Sequence, residues 1–166
     1  MLSEKVKRAM NQQLQRELQS AYVYLAMSAY AEAEGLSGMA QWLRLQSREE
    51  ISHAMKFYDF ILDRGSRMDF EALDAPLADY KSPLQVFEQA LEHERKVTQS
   101  INDIYKLVAE EWDFASQAWL NWFALEQVEE EKSVEQIVDD LKRVGAEGFG
   151  LYSIDKDLAT RSSAAD

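Results

Sequence analysis

Two prolines, Pro76 and Pro83, and six glycines are the only strong helix breakers in 166 residues rich in Glu, Gln, Ala and Leu. So little punctuation leaves long stretches with nothing to end a helix. The pattern predicts helices over about 3–34, 37–64, 82–110 and 114–144, and a short fifth over 147–158. Gly35 stops the first, Ser37 is placed to cap the second and Gly65 ends it. Ser82-Pro83 opens the third as an N-cap followed by proline at the first helical position. The fourth starts between Asp113 and Ser116 and stops at Gly145, with Lys142 and Arg143 facing its negative end. The fifth carries Leu151, Ile154 and Leu158 at helical spacing and is too short to hold alone, so it needs a partner. The tail 161–166 is expected to fray.

The connections set the topology. The first and second helices, and the third and fourth, are joined by a few residues, so each pair runs antiparallel. Residues 65–81 form a much longer link. Fully extended it reaches about 56 Å, beyond the roughly 42 Å of a 28-residue helix. It can therefore run the length of the bundle and set the third helix parallel to the second. Residues 1–166 read as one all-α domain, a four-helix bundle with a long crossover and a short fifth helix.

Heptad counting shows which side chains face inward. The first helix offers Leu14, Leu18, Ala21, Leu25 and Ser28, with Glu17 and Tyr24 beside them. The second offers Met39, Trp42, Gln46, Glu50, His53, Phe57 and Phe60. The third gives Leu84, Phe87, Leu91, Glu94, Thr98, Ile101, Tyr105 and Val108; the fourth Leu120, Phe123, Gln127, Glu130, Val134, Ile137 and Leu141. Each stripe is apolar at both ends and polar in the middle. The interruptions fall near the helix midpoints, close to residues 18, 50, 96 and 128. Midpoints share one height whichever way a helix runs, so these groups meet in a single layer. Carboxylates in an apolar core cost several kcal/mol each if ionised and unpaired, and no Lys or Arg occupies a neighbouring stripe position. Protonation, buried water or bound cations must compensate them. Oxygen-rich donors with one imidazole suit iron or manganese, and the i, i+3 spacing of Glu50 and His53 puts both on one helical face.

Composition narrows the classes further. Thirty acidic residues against 18 basic ones give a net charge of −12, unsuited to nucleic acid or an anionic membrane and suited to attracting cations. No cysteine excludes disulfides, zinc fingers, thiolate iron–sulfur sites and thiol catalysis. The first residues lack a signal-peptide core and no run approaches about 18 apolar residues, so a cytoplasmic location is the expectation.

Glu17, the run Glu49-Glu50-Ile51-Ser52-His53, Glu94 and the run Glu126-Gln127-Val128-Glu129-Glu130 together resemble a bacterial-type non-haem ferritin over essentially the whole chain. The resemblance implies a ferritin-like fold and an iron-storing ferroxidase that oxidises Fe(II) with dioxygen in a 24-subunit homo-oligomeric cage. It implies that Glu17 and His53 hold one iron, Glu50 bridges, and Glu94 with Glu130 holds the second. Gln127 orients a water or oxygen-derived ligand, and Tyr24 is a tyrosine beside the centre that can donate an electron. Glu49, Glu126 and Glu129, with Glu130 shared, match a third iron site.

The departures from relatives discriminate. Ile51 replaces the haem-ligating methionine of bacterioferritins, and Gln127-x-x-Glu130 replaces their second Glu-x-x-His, which argues against haem. Gln117 and Leu120 stand where animal ferritins line a three-fold channel with carboxylates. His93 reads as a surface residue. Trp112, Trp119 and Tyr80 are expected at subunit interfaces or over the bundle ends, and the fifth helix around the four-fold axis. The alternative reading is a di-iron or di-manganese oxidoreductase without storage.

Overall fold

The computed structural model describes residues 1–145 and 148–162. Five helices follow in order: α1 Glu4–Ala33, α2 Ser37–Asp63, α3 Pro83–Glu110, α4 Phe114–Val144 and α5 Phe149–Leu158. The expected start of the fifth helix at Glu147 lies outside the described residues, as do residues 163–166.

Three of the helix starts are capped locally. Ser3 Oγ accepts from Val6 N at 3.3 Å, Ser82 Oγ from Gln85 N at 3.2 Å and Asp113 Oδ1 from Ser116 N at 3.2 Å. Ser37 does not cap α2. It is the first helical residue, Leu36 precedes it, and neither supplies a side-chain cap. The cap comes from far along the chain, where Asp155 Oδ1 in α5 accepts from Met39 N at 2.9 Å. Gly38 permits that approach, since a Cβ there would sit 1.7 Å from the Asp155 carbonyl oxygen. At the other end of α2, Arg64 binds Ser116 Oγ at 2.9 Å and Asp113 Oδ2 at 3.1 Å, tying α2 to the start of α4.

The core is divided in two. One apolar cluster joins Tyr24, Met27 and Ala31 with Met39, Leu43, Phe87, Leu91, Val134 and Leu141. The other joins Val6, Met10 and Leu14 with Phe57, Ile61, Ile101, Val108, Leu120 and Phe123. The early residues of α2 and α3 thus share one end with the late residues of α1 and α4, so α2 and α3 run parallel. The crossover makes this possible by lying along α1. Asn11 Oδ1 accepts from Asp69 N at 2.9 Å, Gln15 Nε2 donates to Glu71 O and Ala72 O, and Gln19 exchanges two hydrogen bonds with Asp74. These three side chains stand four residues apart on one face of α1.

Several inward assignments shift. Leu25 is 50% exposed, because a straight helix drifts from a strict heptad and the inward face of α1 follows Glu17, Tyr24 and Met27. Tyr80 is buried against Tyr30, their ring centroids 5.2 Å apart, and seats the end of the crossover. Trp119 is half-buried and stacks on Phe60 at 4.2 Å. Trp112 stays exposed, in the left-handed region at φ 58° between α3 and α4. Leu120 lies wholly within the second cluster, so it lines no surface.

Candidate metal centre

Between the two clusters, all four long helices send polar side chains to one layer. Glu17, Glu50, His53, Glu94, Gln127 and Glu130 are all buried there. Glu17, Glu50 and His53 each bring one ligand atom within 4.8 Å of the others. Glu49, Glu126 and Glu130 form a second group of the same tightness, and His53 belongs to it as well. Glu129 is exposed and in neither group. Glu94 joins the layer through hydrogen bonds instead. Tyr24 donates its hydroxyl to Glu94 Oε1, and Gln127 Nε2 donates to Glu94 Oε2 at 3.3 Å.

The carboxylates are aimed by amides. Gln13 Nε2 donates to Glu17 Oε1 at 2.8 Å, and Gln46 Nε2 donates to Glu50 Oε1 at 3.2 Å and Glu130 Oε2 at 2.7 Å. Each glutamine precedes a carboxylate by four residues, the spacing that puts two side chains on one helix face. That spacing was the available sequence signal for both. Gln13 is held in turn by the Ser100 hydroxyl, and Arg16 also reaches Ser100. His53 Nδ1 lies 3.5 Å from Glu50 Oε2, and its ring meets Trp122 edge-on at 5.5 Å.

One oxygen is left over. Glu17 Oε2 is buried with no hydrogen-bond partner among the described residues. A buried carboxylate oxygen without a hydrogen-bond partner, on a residue grouped with Glu50 and His53, fits a cation. Without one, burial dominates the electrostatics. It pushes Glu17 and Glu50 well above the usual carboxylate range, with neighbouring carboxylates adding to the effect, and it raises Glu94 too. Glu130 is pushed up to about 8, by burial first and then by Glu94 and Glu49. Tyr24 is raised well above an ordinary phenol by burial and by Glu94.

Two residues outside the expected set belong here. His93 is not an ordinary surface residue. It is half-buried, its Nε2 lies 2.6 Å from Ser20 Oγ, and it meets the Tyr24 ring edge-on. Burial, with Lys96 nearby, pushes it down to about 4. Arg161, expected in a frayed tail, is instead fixed on Glu49 and Gln46.

A four-helix bundle with buried carboxylates from each helix and one Glu-x-x-His is the architecture of carboxylate-bridged metal proteins, and its carboxylate and imidazole groups could hold a metal. The chain belongs to the ferritin family: residues 7–144 match the family model described as ferritin-like domain. It is 41% identical over 161 residues to a bacterial non-heme ferritin of Bacteroides fragilis, covering 97% of this chain and 100% of that one. A bacterial non-heme ferritin of Staphylococcus epidermidis is 40% identical over 162 residues, 98% of each chain. Among solved structures, an open pore ferritin from the archaeon Archaeoglobus fulgidus superimposes with a TM-score of 0.96 at 41% identity, over 98% of this chain and 100% of that one.

Proposed function

We propose that this protein stores iron and oxidises it: two Fe(II) ions enter the central layer, lose electrons to dioxygen, and pass as Fe(III) into the cavity of a homo-oligomeric, 24-subunit cage. The observation that carries this reading is the partnerless Glu17 Oε2 beside Glu50 and His53 at the centre of an apolar bundle. Iron here is substrate and cargo.

In this reading Glu17 and His53 hold one ion, Glu50 lies between the two, and Glu94 with Glu130 takes the second. Hard anionic oxygens stabilise the higher charge, which favours electron loss. Because burial favours the protonated form of Glu50 and Glu130, ion entry works against those protons. Gln13 and Gln46 fix the carboxylates before the ions arrive, and Gln127 and Tyr24 fix Glu94. In this reading Tyr24, hydrogen-bonded to Glu94, donates an electron to the centre. Glu49, Glu126 and Glu130, with Glu129 nearby in sequence, form a third iron site on the path away from the pair.

Assembly fits the exposed large apolar residues, among them Tyr22, Leu25, Trp112, Phe114, Phe149 and Tyr152. No helix among the described residues is long and apolar enough to cross a membrane, and the cytoplasm is the location we assign.

Aerobic Fe(II) titration of the metal-free protein, following absorbance and oxygen uptake together, tests the reading. The expected result is fast oxidation that breaks at two or three irons per chain, then mineral growth, with the fast phase lost in Glu94→Ala. A rate no faster than buffer overturns the ferroxidase. Oxidation that stops at site stoichiometry with no mineral favours an oxidoreductase without storage.

A further inference from the structure

Arg161 follows α5 by three residues, yet its guanidinium reaches the central layer. Nη2 lies 2.5 Å from Glu49 Oε2, Nη1 donates to Gln46 Oε1 at 2.8 Å, and the guanidinium carbon sits 4.4 Å above the Trp42 ring. The ion pair is mostly buried, its two side chains 24% and 21% exposed. Asp155, Gly38 and the bond from Gln41 Nε2 to Ala159 O hold α5 against the start of α2, so the arginine is tethered in place.

This position has two consequences. Glu49 belongs to the tight group with His53, Glu126 and Glu130, so a permanent positive charge already occupies one of its four ligand residues. A divalent ion binding there meets that charge at close range and competes with it for the Glu49 carboxylate. Arg161 also fixes which way the Gln46 amide points. With its oxygen turned to the guanidinium, its nitrogen faces Glu50 and Glu130. The two sites are therefore linked through one amide whose orientation the arginine sets.

We propose that Arg161 is a tethered cation at the third site, which competes with an incoming metal ion for Glu49, so that the segment after α5 sets how tightly the third ion is held. The proposal rests on the third-site reading above. A tethered competitor acts at a high effective concentration, so its removal strengthens binding without adding a ligand.

The test is anaerobic calorimetric titration of the full-length, assembled protein with Fe(II), comparing wild type with Arg161→Gln, Arg161→Lys and Glu126→Gln. In Arg161→Gln the third binding event is expected to tighten by about tenfold relative to the first two, the factor that about 1.4 kcal/mol represents. Arg161→Lys, which keeps the charge, should stay near wild type. Glu126→Gln should lose the third event. A third event equally strong or weaker in Arg161→Gln, while Glu126→Gln removes it, overturns the role of Arg161 and leaves the third site standing. No third event in wild type or Arg161→Gln overturns the third site and the proposal with it.

Discussion

Asp155 accepts a hydrogen bond from the backbone N–H of Met39, 116 residues earlier in the chain, and so supplies the N-terminal cap that α2 lacks locally. The short fifth helix is thereby built into the bundle. Loss of a helix cap costs about 1 kcal/mol, which in a chain of this size lowers Tm by about 2–4 °C. Asp155→Ala should show that shift by calorimetry. Gly38→Ala should cost more, because its Cβ would meet the Asp155 carbonyl. Equal, negligible shifts for both would mean that α5 contributes nothing to the stability of α2.

Glu17 should behave as a group kept for binding at the expense of folding. Its partnerless oxygen makes it a liability in the metal-free protein. Glu17→Gln removes the cost of burying an ionisable group with little change of shape, and should stabilise the metal-free protein by about 1–2 kcal/mol at neutral pH. It should also abolish tight binding of one Fe(II) per chain. Denaturant unfolding and anaerobic titration on the same preparation read the two effects.

The carboxylates give the metal-free protein a definite pH response. Glu130 is raised from 4.5 to about 8, so between those values the folded chain holds a proton that the unfolded chain has released. Stability from this group is complete below pH 4.5 and falls as pH rises through 8. Glu17, Glu50 and Glu94 shift in the same direction. Tm of the metal-free protein should therefore fall from pH 6 to pH 8.5, and saturating divalent metal should remove much of that fall. A flat profile in the metal-free protein would count against the buried layer.

His93 produces the opposite slope at lower pH. Its value is lowered from 6.5 to about 4, so its contribution is present above 6.5 and is lost as pH falls through 4. His93→Gln, which keeps a partner for Ser20, should flatten the decline in stability between pH 6.5 and 4. An unchanged acid limb would mean that His93 is not buried neutral in solution.

Much of this was legible in the sequence because it was local. The cap at Ser82, the one of the three local caps read from the sequence, comes from a residue within a turn of the helix it starts, and the inward face of α4 follows one heptad stripe from end to end. The heights of Glu17, Glu50, Glu94 and Glu130 needed only helix lengths. What escaped was long-range. Ser37 yields to Asp155, and Arg161 sits at the end of a polar tail with no local mark of its destination. His93 turns toward Ser20 because each bundle helix touches two neighbours, and its buried face is wider than a heptad stripe. Leu25 failed by the same geometry in reverse.

The division of the core into two clusters around a polar layer also fixes register. In a bundle lined end to end with leucine, one helix can slip by a heptad and still bury apolar surface. Here the same slip of α2 would carry Glu50 into Phe57's place or Leu43's, and would strand Glu130 without Gln46. Every misaligned packing buries an uncompensated carboxylate, which costs several kcal/mol. The layer proposed to receive the ions is therefore also the part of the chain that permits only one alignment of the four helices.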